Sequence, residues 1–283
     1  MKQIVALATL FLLFAAQALA QEDDQICVTA LQQSDLGEFN EAAEGLENCL
    51  ASVELTPEQE VMIYAELGSV RMAMEDYAGA LQAFAFTFAI AETQGAQISH
   101  PMIYRNRGIS LGQTGELERA LGDLLQAYSM LGDDPLTLVN LGWTYGQLER
   151  HEDAVVIYDR LVRTEPEWSG AWLNRSAAFL DLGMISEAVS DARRAVEIDP
   201  EDGSTLNMLC WTLIQDGRAE TALPLCRQAA ELEPESGHVI HSLATALEAT
   251  GSNRRARRLF AQAYEMEPED PEIIADYERT HRP

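Results

Sequence analysis

Apolar residues recur along the chain at helical spacing, as in Leu138, Leu141 and Tyr145 and again in Ala154, Tyr158 and Leu161. The residues between these stripes are periodic as well. Alanine returns at Ala120, Ala154, Ala188, Ala222 and Ala256, and proline at Pro166, Pro200, Pro234 and Pro268, both in steps of 34 residues. Gly115, Gly183, Gly217 and Gly251 keep the same phase, with Glu149 at the interrupted place. Three series in one register describe a repeated unit. Two apolar stripes per unit predict two helices, with glycine or proline where the chain must reverse. A small residue such as Ala188 at the crossing lets the paired helices approach to the close end of about 8–10 Å.

This pattern resembles the tetratricopeptide repeat. The best match is Gly170 to Pro200, with Trp172, Gly183, Ala188, Ala195 and Pro200 on the family's marked places. In that phase the repeats fall at 101–134, 135–168, 169–202, 203–236 and 237–270. Tyr64, Leu67, Gly68, Ala80 and Phe84 mark another at 61–94, and Gly37, Ala42 and Leu46 a degenerate one at 23–56. Longer steps from Ala42 to Ala80 and from Ala80 to Ala120 imply insertions between these units. The first is assigned to Pro57–Glu60, where Thr56 as N-cap, Pro57 and Gln59 form a capping box that starts the helix early. Residues 271–280 read as a capping helix. The resemblance implies an all-α fold: an α-solenoid, a right-handed superhelix of about seven helix–turn–helix repeats whose first helices line a groove. It also implies a non-enzymatic protein-binding module that needs no cofactor.

In this phase the sixth place of successive first helices carries Asn106, Asn140 and Asn174, while Met208 and Ser242 take the place in the next two repeats. An asparagine row can pair with the peptide groups of an extended chain, as such rows do in some tetratricopeptide superhelices. The alternative is bonding within the repeat. Arg105 flanks the row, and Trp143 and Trp211, at the ninth place, either anchor a partner in the groove or pack on the next repeat. The lysine and arginine clamp with which some family members grip a C-terminal carboxylate is not matched.

Composition narrows the function further. The chain has 283 residues, 47% apolar, with 46 acidic against 19 basic residues and a net charge of −27. That is ample for a core, and so acidic a surface repels nucleic acid and anionic lipid. Lys2, the apolar run from Ile4 to Ala16 and the sequence Ala18, Leu19, Ala20 have the pattern of a signal peptide, residues 1–20, cut after Ala20. The run is shorter than the roughly 20 residues a membrane span needs, so no membrane insertion of the mature chain is expected. Export points to a periplasmic or secreted protein. Loss of Lys2 leaves only arginine as positive charge.

Export also makes disulfides the first reading of four cysteines, which allow three connectivities. Cys27 and Cys49 fall in the first repeat and Cys210 and Cys226 in the sixth. Repeats stacked at roughly 10 Å each leave only the pairings Cys27–Cys49 and Cys210–Cys226 within reach. Four buried free thiols are the alternative.

Arg254, Arg255, Arg257 and Arg258 form a basic run at the start of the last repeat's second helix, against the helix macrodipole. Pairing with Glu231, Glu233 and Glu235 is expected to offset it, and docking of an acidic partner is the alternative. His238 and His241 lie on one helical face and could share a metal with His281 or a glutamate, but two ligands do not make a site. The sequence thus predicts a partner protein or extended peptide in the groove, with a periplasmic envelope adaptor as its setting. A self-associating scaffold, and hence a homo-oligomer, is the alternative. A metal-dependent enzyme using His238 and His241 ranks below both.

Overall fold

Every helix pair turns at the same point of the unit. In the computed structural model, which describes residues 25–281, the turn residue has positive φ at Gly37, Glu75, Gly115, Glu149, Gly183, Gly217 and Gly251. The left-handed conformation lets the next amide reach back to the helix it leaves. Met184 N donates to Phe179 O at 2.8 Å and Arg150 N to Tyr145 O at 2.9 Å, which closes a Schellman-type cap. The second helix begins two residues after each turn residue. The signal segment expected at 1–20 lies outside the described residues.

The described residues form fifteen helices and no strand. They are α1 (Gln25–Leu36), α2 (Phe39–Ser52), α3 (Pro57–Ala73), α4 (Tyr77–Thr93), α5 (Pro101–Gln113), α6 (Leu117–Leu131), α7 (Pro135–Gln147) and α8 (His151–Thr164). There follow α9 (Ser169–Asp181), α10 (Ile185–Ile198), α11 (Gly203–Gln215), α12 (Ala219–Leu232), α13 (Gly237–Ala249), α14 (Asn253–Met266) and α15 (Pro271–His281). The architecture is an all-α solenoid of helix pairs. Thr56 and Gln59 close a capping box that opens α3 at Pro57, so that helix carries an extra turn. No helix among the described residues is long and apolar enough to cross a membrane.

The chain divides into two compact units, Met1–Thr144 and Tyr145–Pro283. Within each, residues 16 apart face one another across a pair. In the first unit Gly68 lies under the Phe84 ring, where a Cβ would stand 2.7 Å from a ring carbon, so an alanine there would force the pair apart. Ala42, Leu46, Ile63, Leu67 and Val70 form the core of its first two pairs. In the second unit Ala244 packs with Phe260, and Cys210 with Cys226.

Those two cysteines are joined, with Cα atoms 5.3 Å apart, and Cys27 is joined to Cys49 at a Cα distance of 5.0 Å. The Cys210–Cys226 bridge therefore replaces a packing contact with a bond where first and second helix lie closest. The Cys27–Cys49 bridge ties α1 to α2.

Candidate functional site

In the first unit a polar seam runs between successive first helices. Ser34 of α1 donates to Glu66 of α3, and Asn106 Nδ2 of α5 donates to Ser69 Oγ of α3 at 3.0 Å. Burial, aided by the nearby Asp35 charge, pushes the Glu66 carboxyl above its ordinary range against the opposing Ser34 hydrogen bond. Arg105 reaches Asp134 at 3.3 Å, and Asp134 also accepts from the Thr137 backbone and hydroxyl. Burial works to raise the Asp134 carboxyl, but the Thr137 hydrogen bonds and the Arg105 charge outweigh it and hold it low.

This seam corrects part of the groove predicted from sequence. Asn106 and Arg105 are only 5% and 6% exposed, and both are spent on neighbours, so neither is open to a partner. Asn140 is half-buried, and its Nδ2 donates to Leu136 O of its own helix at 2.8 Å. Trp143, one turn further along α7, is 36% exposed. A Cβ on Gly112 of α5 would stand 3.0 Å from its ring, so the indole lies against that glycine with its remaining surface open.

The second unit holds the rest of the predicted residues. Asn174 of α9 is half-buried and its amide has no hydrogen-bond partner among the described residues. Trp211 of α11 is half-buried, with its ring centroid 5.8 Å from that of His241 on α13. His241 is itself buried and bonds Asp276 at 2.9 Å. Trp211 thus packs on the next repeat, the alternative that sequence left open. His238 is exposed with Nδ1 3.9 Å from Asp270, and His281 Nδ1 bonds Tyr277 O. The three histidines therefore go to separate partners, and no group of three metal-ligating side chains occurs among the described residues.

Two family models, both described as tetratricopeptide repeat, match residues 137–167 and 164–278, together half of the chain. The chain belongs to the tetratricopeptide repeat family. Tetratricopeptide repeat protein 16 of Homo sapiens is 25% identical over 114 residues, 36% of this chain. A TPR repeat-containing protein of Methanocaldococcus jannaschii is 23% identical over 172 residues, 57% of this chain. This chain spans only 13% and 29% of the lengths of those two proteins. Among solved structures, a tetratricopeptide repeat protein from Parabacteroides merdae matches with a TM-score of 0.70 at 16% identity. That match covers 92% of this chain and 98% of the other. A thermophilic TPR protein of Thermus thermophilus matches at a TM-score of 0.55 and 21% identity, covering 64% and 98%. These similarities are of fold, and tetratricopeptide repeat proteins commonly bind proteins or peptides.

The tetratricopeptide phase also shows which polar pairs the sequence reading missed. Arg107 and Arg175 occupy the same place two repeats apart. Each forms a two-pronged ion pair with the aspartate 16 residues on, Asp123 at 2.5 and 2.7 Å and Asp191 at 2.7 and 2.9 Å. The spacing of 16, repeated after two units, was the available signal. By contrast the basic run is unpaired. Arg254, Arg255, Arg257 and Arg258 are exposed and form no ion pair among the described residues. The expected offset by Glu231, Glu233 and Glu235 is not made, and Glu233 accepts instead from Ser204 Oγ at 3.0 Å.

Proposed function

We propose that the chain is a non-enzymatic interaction module that takes a partner protein or extended peptide on its first helices, and that it works as an exported, periplasmic envelope adaptor. One observation carries the binding half of this: Trp143 stands exposed on a first helix, supported from behind by a glycine, with the side-chain Oδ1 of Asn140 one turn away and without a partner among the described residues. A rigid indole with a neighbouring acceptor is the kind of anchor around which peptide contacts concentrate. Asn174 offers a second free amide in the other unit. The adaptor setting rests on the signal-like N-terminus and on the excess of acidic residues, which disfavours nucleic acid and anionic lipid as partners.

The test is capture from periplasmic extract with the wild-type chain beside Trp143→Ala and Asn140→Ala variants. A protein held by the wild type and lost with Trp143→Ala supports the assignment. Equal capture by all three moves the contact elsewhere and overturns it. Detection of the chain in the membrane-free cytosol with Met1–Ala20 still attached would overturn the exported setting.

A further inference from the structure

Among the described arginines, those up to Arg175 all have a partner. Arg105 pairs with Asp134, Arg107 with Asp123, Arg175 with Asp191, and the others similarly. Six further along have none: Arg193 on α10, Arg227 on α12 and the four of α14. All six are exposed and all lie on second helices of the second unit. The buried line of α14 is Ala256, Phe260 and Ala263. At about 100° per residue, Arg254 and Arg258 point directly away from that line and Arg255 lies beside them. Four cations in the first turn and a half oppose the macrodipole, and Arg254 and Arg258 repel one another as a like-charged pair four apart. No hydrogen bond or ion pair among the described residues offsets these costs.

The first repeat presents the opposite charge at the same places. Ala42 and Ala256 are the crossing alanines of the first and last pairs, so Glu41 corresponds to Arg255 and Glu44 to Arg258. The buried line of α2 is Ala42, Leu46 and Cys49, which leaves Glu41, Glu44 and Glu47 on its outward side. Glu41 and Glu44 are exposed with no partner among the described residues. From Gln25 to Val70 the chain contains no lysine or arginine at all. A guanidinium cluster and a carboxylate cluster thus stand unpaired on matching surfaces of one sequence.

We infer that the outward face of α14 docks on the outward face of α2 of a second copy of this chain. The arginine forks then meet the unpaired carboxylates of Glu41 and Glu44, the kind of group a guanidinium fits. The contact is heterologous, since different faces of the two copies meet, so one docking leaves a free basic and a free acidic face. It stands apart from the proposed groove on the first helices, because both faces belong to second helices.

The experiment is sedimentation velocity of the purified chain at low salt, with two charge-reversed variants. One carries Arg254→Glu, Arg255→Glu and Arg258→Glu, which also suits the helix N-terminus, so its folding is not at risk. The other carries Glu41→Arg and Glu44→Arg, with its fold checked by circular dichroism. The wild type should associate with rising concentration and dissociate as salt is raised. Each variant alone should associate about tenfold more weakly or not at all. Mixed in equal amounts, the two should associate again, because the carboxylate face kept by one meets the arginine face kept by the other. A wild type that stays monomeric at low salt overturns the inference, as it would if the arginines served an unrelated acidic protein. Variants that associate like the wild type, or a mixture that stays monomeric, overturn it equally.

Discussion

Glu149 occupies a turn that five of its six counterparts fill with glycine. Its φ is 57°, against 70° to 85° at Gly37, Gly115, Gly183, Gly217 and Gly251. In this conformation the Cβ of an L-residue crowds the following carbonyl, at a cost of about 1–2 kcal/mol. Glu149 is exposed, and its side chain forms no hydrogen bond or ion pair among the described residues. Glu149→Gly removes the crowding, while the greater freedom of glycine in the unfolded chain takes back about 0.5–1 kcal/mol. The net expectation is a gain of about 0.5–1 kcal/mol. Glu149→Ala is the control, since it removes the carboxylate and keeps the crowding. Urea unfolding followed by tryptophan emission suits the measurement, because Trp168, Trp172 and Trp211 lie in the second unit with Glu149. With a urea dependence of about 2 kcal/mol per molar, the midpoint should rise by about 0.25–0.5 M for glycine and stay put for alanine. Equal midpoints for the glycine and alanine variants would show that the turn does not strain Glu149.

Other expectations follow from the same contacts. Asn106→Ala removes the bond to Ser69, whose hydroxyl keeps its own bond to Ala65 O, and should cost about 0.5–1.5 kcal/mol, whereas Asn174→Ala should leave thermal stability unchanged; equal melting temperatures for the two would contradict the seam. Replacing Cys210 and Cys226 together by alanine should lower unfolding free energy by about 3 kcal/mol, a loss that dithiothreitol should reproduce in the wild type but not in the variant. Glu66 titrates higher in the folded chain than its ordinary value of 4.5, so the stability linked to it is full below that pH. It is lost as pH climbs through the raised native value. Glu66→Gln should flatten this fall in pH-dependent melts, and an unaltered slope would remove Glu66 as its source.

How far the sequence alone reaches differs between backbone and side chains. The 34-residue period locates the helix pairs and their turns, even at Glu149, because those features depend on one place in the unit: a left-handed residue, a small crossing residue, a cap. The Cys210–Cys226 bridge is legible for a related reason, since both partners belong to one pair and sit 16 apart, like Gly68 and Phe84. Asn106 and Asn140 occupy identical places on α5 and α7, yet their amides do different things. The cause lies one repeat earlier, at the ninth place of the preceding first helix. There Ser69 offers Asn106 an acceptor, while the corresponding Ile109 offers Asn140 none, so Asn140 turns back on Leu136 of its own helix.

A single place in the repeat therefore does not specify an exposed amide; the sixth place of one repeat and the ninth of the previous one specify it together. Net charge has the same limit. An acidic surplus of this size gives every arginine many carboxylates to choose from, and sequence proximity suggested that Glu231, Glu233 and Glu235 would serve the basic run. Proximity along the chain fails here because those glutamates lie at the far end of α12 and in the turn beyond it, whereas the run opens α14. In a stack of antiparallel helices the end of one second helix and the start of the next lie at opposite edges of the repeat. An offset therefore has to be sought by edge and face, and by that criterion the carboxylates matching Arg255 and Arg258 are Glu41 and Glu44 rather than the glutamates nearest in sequence.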